Sequence, residues 1–168
     1  IKVYVLLGMS EMRDAALGLI DKYQDIRMAE RAFELAWTHS QIILHQLNIT
    51  EVEAQRYSKL AGSLVYANSL KRASQSNLKR NRKGQDGLWG YGISGDIPLV
   101  LVRISDIAGI ELVRQTILAH AYWRMKGLLV ELVILNEDIS VYWQSVHNEI
   151  INLISLGIEA PLLEQAGG

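Results

Sequence analysis

Apolar residues recur at helical spacing through the first 70 residues of the chain. The pattern predicts three helices, which run from Ser10 to about Tyr23, from Asp25 to about Asn48, and from Thr50 to about Tyr66. Residues 50–53 have the order of a capping box, in which the hydroxyl of Thr50 accepts a backbone N–H and Glu53 reaches back to the cap. Residues 1–7 form a short apolar run ahead of these helices and are predicted as a strand.

The second half alternates between short apolar runs and amphipathic segments. It predicts two strands at residues 97–104 and 128–135, and two helices at residues 110–126 and 140–156. Both strands are apolar on both faces, as in a parallel sheet covered on each side. Two strands leave two unpaired edges, so we expect residues 1–7, or chain outside these 168 residues, to supply another strand. The predicted fold class is α/β, with about three helices followed by a small β-α-β-α unit with a short, mostly parallel sheet.

A basic and glycine-rich segment separates the two halves. Six lysines and arginines lie among polar residues between Lys71 and Lys83, and five glycines follow within residues 84–96. Glycine at this density disfavours a helix, so residues 71–96 are predicted mostly as loop. The predicted organisation is a single module over residues 1–168, cut from a larger protein, with a helical half at 1–70, the loop at 71–96 and the β-α-β-α half at 97–168.

Composition and charge exclude several kinds of site and partner. The net charge of −1 gives no reason to expect a nucleic-acid partner or contact of this chain with a membrane. The chain has no cysteine, which excludes disulfides, thiolate zinc sites and cysteine nucleophiles. The four histidines include no pair at the i, i+4 spacing of a helical metal site, and we expect them to be structural or surface residues. Neither a metal nor a cofactor is predicted.

The candidate site lies in the glycine-rich stretch and consists of Trp89, Tyr91, Ser94 and Asp96. Sugar sites combine aromatic rings, which stack on the apolar face of the sugar, with carboxylates that accept its hydroxyl groups. Trp89 and Tyr91 alternate around Gly90, so an extended backbone would direct both rings to the same side. The alternative is that both rings anchor the loop onto the core or onto a neighbouring domain.

Two other chemistries fit the residues less well. Residues 90–95 match G-x-G-x-x-G, but the motif precedes a predicted strand, whereas the dinucleotide fingerprint follows a strand and opens a helix. A glycan-cleaving enzyme needs a general acid and usually a second carboxylate, for which Asp96 or Asp106 with Glu137 are the candidates. Nothing else in the sequence converges on these carboxylates, so no catalytic residue is assigned.

Several segments resemble the cyclic β-1,2-glucan synthases. They are ERAFELAWTHSQ at residues 30–41, QLNIT at 46–50, GLWGYGISGDIP followed by LVLVRI at 87–104, YWRMKGL at 122–128 and LVILN at 132–136. The resemblance extends over nearly the whole chain, and the long central motif is its most specific part.

The resemblance implies a parent enzyme, a very large membrane protein of the bacterial inner membrane that transfers glucosyl units from UDP-glucose. Its carboxyl-terminal part is similar to the cellobiose and chitobiose phosphorylases of glycoside hydrolase family 94, and this chain would lie beside that part, on the cytoplasmic side. We expect a module that by itself is non-catalytic and that positions or contacts β-1,2-glucan or neighbouring domains of the same polypeptide. A purely structural interdomain spacer and an independent glycan-active enzyme are the alternatives.

Overall fold

The computed structural model describes residues 5–66, 68–138, 143–163 and 165. Its helices and strands are α1 (Arg13–Tyr23), α2 (Ile26–Leu47), α3 (Glu51–Val65), α4 (Gln75–Arg80), α5 (Asp86–Trp89), β1 (Leu99–Ile104), α6 (Ile110–Met125), β2 (Glu131–Asn136) and α7 (Trp143–Ser155). Short 3-10 turns occur at Ser69–Lys71, Ile107–Gly109 and Ala160–Leu162. The predicted α/β class, with a helical first half and a small β-α unit carrying a parallel sheet, is confirmed.

The chain divides into two compact units, Ile1–Gln46 and Leu47–Gly168. In the first unit, α1 begins after Met12, whose backbone is extended and whose side chain forms no capping hydrogen bond, so the prediction of a cap at Ser10 is wrong. The cap predicted at Asp25 is confirmed, because its carboxylate accepts the backbone N–H of Arg27 at 3.0 Å. Residues 1–4 of the predicted first strand lie outside the described residues, and residues 5–7 form no strand.

The second unit opens with the predicted capping box. The hydroxyl of Thr50 accepts the backbone N–H of Glu53 at 3.2 Å, and the Glu53 carboxylate accepts the backbone N–H of Thr50 at 2.8 Å. Helix α3 then packs against α6, where the buried Trp123 donates its indole N–H to the carbonyl of Tyr57 at 2.8 Å. These contacts fix the last helix of the helical half onto the helix that connects the two strands.

The sheet consists of β1 and β2, which are parallel and in register from Leu99 opposite Glu131 to Ile104 opposite Asn136. One of its faces carries the core of the unit. The core residues, contributed by β1, α6 and α7, are Val102, Ile104, Val113, Ile117, Val146 and Ile150. Alternation of side chains along a strand places the intervening residues of β1 on the opposite face.

That opposite face is largely uncovered in the part of the chain that the structure describes. Leu99, Leu101 and Leu135 are exposed there, so the prediction of a sheet covered on both sides is wrong for the described residues. The second strand also begins three residues later than predicted. Gly127, at φ +84°, ends α6 in a tight turn in which the backbone N–H of Leu128 bonds to the carbonyl of Trp123 at 2.9 Å, and this turn takes up the start of the apolar run.

The segment over residues 71–96 contains more helix than the sequence predicted. Ser74 caps α4 by accepting the backbone N–H of Asn77 at 3.4 Å, and the single turn of α5 begins at Asp86. Neither helix was predicted, because each is shorter than the window over which apolar periodicity can be read. The start of the last predicted helix, residues 140–142, lies outside the described residues, and α7 is described from Trp143.

Candidate functional site

The glycine-rich loop, residues 86–96, is a helical turn followed by a tight reversal. The backbone N–H of Gly92 bonds to the carbonyl of Trp89 at 3.0 Å, and that of Ile93 bonds to the carbonyl of Leu88 at 3.4 Å. This pair of bonds is the Schellman pattern, which places Gly92 in the left-handed region at φ +74°. The backbone at Gly90, between the two rings, is therefore helical and not extended. The expectation that an extended backbone directs Trp89 and Tyr91 to the same side does not apply to this loop. The G-x-G-x-x-G residues follow a helical turn and precede β1, the reverse of the dinucleotide-binding order.

Both aromatic side chains of the loop face solvent. Trp89 is 63% exposed and Tyr91 is 80% exposed, so neither ring anchors the loop in the core of this chain. The indole N–H of Trp89 donates to the carbonyl of Ser94 at 3.3 Å. The nitrogen edge of this ring is thus tied to the loop, while most of the side chain stays accessible.

Gln85 holds the two ends of the loop together. Its amide nitrogen donates to the carbonyl of Ser94 at 2.8 Å and to the carboxylate of Asp96 at 2.7 Å. Gly95, at φ +70°, lies so close to this side chain that an added Cβ would be 2.9 Å from Cγ of Gln85. A side chain at residue 95 would therefore be opposed both by the left-handed backbone and by the lack of space.

Glu131, the first residue of β2, fixes the loop to the sheet. Its two carboxylate oxygens accept the backbone N–H groups of Ser94 and Gly95, at 2.7 and 3.2 Å, and the residue is only 3% exposed. Glu131 was not among the residues predicted from the sequence. The available signal was a single carboxylate inside the apolar run at residues 128–135, because a buried charge requires hydrogen-bonding partners.

The structure brings three of the four predicted site residues into one network and places the fourth beside it. Trp89, Ser94 and Asp96 are joined by the bonds described above, and the hydroxyl of Ser94 also accepts the backbone N–H of Asp96 at 3.2 Å. Tyr91 lies at the rim of a cleft of about 650 Å³ that follows β2. Apolar side chains form most of its wall, namely Leu101, Ile117, Val133, Ile154, Leu162 and Leu163.

His120 and Glu159 line the cleft and form a cluster with Arg124. The ring of His120 contacts the Glu159 carboxylate at 2.5 Å through Nδ1 and the carbonyl of Val130 at 2.7 Å through Nε2, while Arg124 donates twice to the other oxygen of Glu159, at 2.6 and 3.1 Å. Burial raises the pKa of Glu159, but the hydrogen bonds and charges of His120 and Arg124 outweigh it and hold the pKa below its usual value. His120, which was predicted as a structural or surface residue, is buried and has a hydrogen-bond partner at each ring nitrogen. Glu159 was not among the residues predicted from the sequence.

The carboxylates considered for catalysis each have a separate structural partner. Asp106 accepts the backbone N–H of Ala108 at 2.8 Å, Glu137 pairs with Arg103 at 2.8 Å, and Asp96 accepts from Gln85. Within the described ranges, no group of three or more His, Asp or Glu side chains is arranged to hold a metal ion. In the same ranges, none of the helices is both long enough and apolar enough to pass through a membrane.

Comparison with known proteins identifies one strong similarity. No family model matches the chain, and no solved structure matches it. Over 129 residues, or 77% of its length, the chain is 33% identical to the cyclic β-(1,2)-glucan synthase NdvB of Rhizobium meliloti (strain 1021). The chain spans only 5% of the length of that protein. Over most of its length the chain is therefore similar to one short segment of a cyclic β-1,2-glucan synthase.

Proposed function

We propose that this chain is a non-catalytic module of a cyclic β-1,2-glucan synthase and that its glycine-rich loop contacts the glucan. The proposed parent is a glycosyltransferase of the bacterial inner membrane, with a phosphorylase-like part and with this module on the cytoplasmic side. The partners of the module are then β-1,2-glucan and neighbouring domains of the same polypeptide. The support for the family is the sequence similarity to NdvB, and the support for the role is the geometry of the loop.

The observation that carries the proposal is the exposure of two aromatic rings on a loop with a fixed shape. Trp89 and Tyr91 face solvent, while Glu131, Gln85 and the indole N–H of Trp89 hold the loop backbone between them. Ordering a flexible loop on binding costs free energy, so a loop that is ordered beforehand retains more of the stacking energy. Flat apolar rings beside directed polar groups suit the alternating faces and hydroxyl groups of a glucan.

The hydrogen bonding of the cleft carboxylates supports a positioning role over a catalytic one. A general acid must carry a proton near neutral pH, but the pKa of Glu159 is held low by His120 and Arg124. Both oxygens of Glu131 accept backbone N–H groups of the loop. Each of these two groups is thus committed to holding the fold in place.

The test is a calorimetric titration of the chain with β-1,2-gluco-oligosaccharides. Replacing an aromatic ring that stacks on a sugar removes about 1 kcal/mol or more, so Trp89→Ala should weaken binding by about fivefold or more. Trp37→Ala is the matched control, since Trp37 lies in α2 and is 67% exposed, slightly more than Trp89. Equal affinities of the wild type and Trp89→Ala, or no heat of binding for either, would refute the proposed contact.

The exposed face of the sheet favours a second candidate, a structural spacer between domains. Leu99, Leu101 and Leu135 present apolar surface on one side of β1 and β2. An apolar patch of this kind marks a surface that another domain covers, and in the isolated chain it promotes association. Sedimentation at increasing protein concentration tests this candidate, which predicts self-association that Leu101→Gln reduces. A chain that stays monomeric at all concentrations would count against it.

A further inference from the structure

The outer edge of β2 carries backbone groups that point away from β1. The backbone N–H groups of Glu131 and Glu137 donate to the carbonyls of Pro98 and Ile104, at 2.8 and 2.7 Å. Every second residue of a strand faces the same neighbour in a parallel ladder, so Val133 and Leu135 also bond toward β1. The N–H and C=O groups of Leu132 and Ile134 therefore point to the opposite side, where the described residues supply no third strand.

The cleft runs along this edge of the sheet. Its wall includes all five consecutive residues from 131 to 135. Successive side chains of a strand point to opposite faces, so a cleft over a single face would contact only alternate residues. Contact with every residue places the cleft beside the strand, next to the outward groups of Leu132 and Ile134.

We infer that the cleft receives a further β-strand, contributed by a part of the synthase polypeptide outside these 168 residues. A strand supplies both things that the cleft requires, namely backbone donors and acceptors for Leu132 and Ile134 and apolar side chains for its wall. A sugar chain would satisfy the backbone groups but would offer less apolar surface than a strand to the leucines and isoleucines of the wall. This strand addition is separate from the proposed contact of Trp89 with glucan.

The parent polypeptide is the source that the observations favour. The matched segment is 5% of the length of NdvB, so a synthase of that family has a long remainder from which a strand can come. A parallel sheet of two strands with an open edge is small for an independently stable sheet. Proteins generally cover such an edge, since unpaired backbone groups invite unwanted association.

Amide hydrogen exchange in the full-length polypeptide, followed at single-residue resolution, tests the inference. If the added strand is present, the amides of Leu132 and Ile134 exchange at rates within about tenfold of those of Val133 and Leu135. The inner pair serves as the internal control, because its hydrogen bonds to β1 protect it in either case. Fast exchange of Leu132 and Ile134, with Val133 and Leu135 still protected, would overturn the inference.

A photoreactive benzoylphenylalanine in place of Leu135 identifies the source of the strand. The inference predicts a cross-link to a segment of the same polypeptide outside residues 1–168, and none to that segment from the same group at Leu112, an exposed residue of α6 that does not line the cleft. A cross-link to a second copy, a cross-link within residues 1–168, or no cross-link would contradict it. Loss of oligosaccharide binding in Trp89→Ala leaves these outcomes unaffected, so the two proposals can fail separately.

Discussion

The carboxylate of Glu131 accepts the backbone N–H of Ser94 at 2.7 Å, across a sequence separation of 37 residues. This bond joins the first residue of β2 to the glycine-rich loop that precedes β1. The same carboxylate accepts the N–H of Gly95, so one buried side chain holds two consecutive backbone groups of the loop. The shape of the loop is thus determined by the sheet as well as by its own glycines.

Replacing Glu131 by Gln should release the loop. The amide has one acceptor oxygen in place of two and no charge, and a lost hydrogen bond to a charged group costs about 1.5–3 kcal/mol. We expect the free energy of unfolding, measured in urea, to fall by about 2 kcal/mol. Glu137→Gln is the control, since Glu137 forms a partly exposed pair with Arg103 and its loss should cost less than about 1 kcal/mol. Equal effects of the two substitutions would contradict the role given to Glu131.

Replacing two glycines of the loop, Gly95 and Gly90, by alanine should affect the free energy of unfolding differently. Gly95→Ala combines a positive φ with a contact of 2.9 Å to Gln85, and should reduce the free energy of unfolding by about 1–2 kcal/mol. At Gly90 the backbone has φ −63° and an added Cβ meets nothing within 4 Å, so Gly90→Ala should be neutral or slightly stabilising. Thermal unfolding of both variants checks the pair, and a Gly95→Ala protein as stable as the wild type would disprove the tight packing.

The cluster around Glu159 should make the folded chain less stable in acid. The pKa of Glu159 is lower in the folded chain than the usual 4.5. The contribution of this carboxylate to stability is therefore fully present above pH 4.5 and is lost as the pH falls through the folded pKa. Glu159→Gln leaves His120 and Arg124 without a charged partner and should cost about 3 kcal/mol at neutral pH.

Urea unfolding over a range of pH measures this dependence. The stability difference between the wild type and Glu159→Gln should shrink as the pH falls below about 5. Glu149→Gln, at an exposed position of α7, is the matched control and should show little difference at any pH. A wild-type advantage over Glu159→Gln that persists undiminished into strong acid would contradict the assignment.

Alanine substitutions at the two predicted cap residues, Thr50 and Ser10, should have different effects on stability. Thr50→Ala removes the hydroxyl that accepts the N–H of Glu53 and should destabilise the second unit by about 1 kcal/mol. Ser10→Ala should have no measurable effect, since α1 begins after Met12. Hydrogen exchange in the first turns of α3 and α1 distinguishes the two, and a loss of protection in α1 of Ser10→Ala would show that the cap assignment is mistaken.

Local chemistry made part of this fold predictable from sequence. The capping box at Thr50 and the glycine at residue 127 act on their immediate neighbours, and the structure contains both features. The cap at Ser10 failed because a cap residue is defined by where the extended backbone ends, and Met12 is the residue that adopts that conformation. Sequence alone offered several polar residues near this boundary and no means of choosing among them.

The site was predictable only in its composition. The rings, Ser94 and Asp96 were found from their density in one glycine-rich stretch, but their arrangement depends on bonds to Gln85 and Glu131. Glu131 is a distant residue that reaches the loop only after β1 and α6 have brought the strands together. The link from His120 to Glu159 likewise spans 39 residues, so neither contact leaves a local pattern.

The proposed contact between the loop and glucan is tested most directly by the indole N–H signals in nitrogen-15 NMR spectra of the chain. Trp89 is exposed in the loop, whereas Trp123 is buried against α3, so the two signals report a contact at the loop and a reference in the core. On titration with β-1,2-gluco-oligosaccharides, the account predicts a saturable shift of the Trp89 signal with the Trp123 signal unchanged. A Trp89 signal that stays in place, or that moves no further than that of the exposed Trp37, would contradict it.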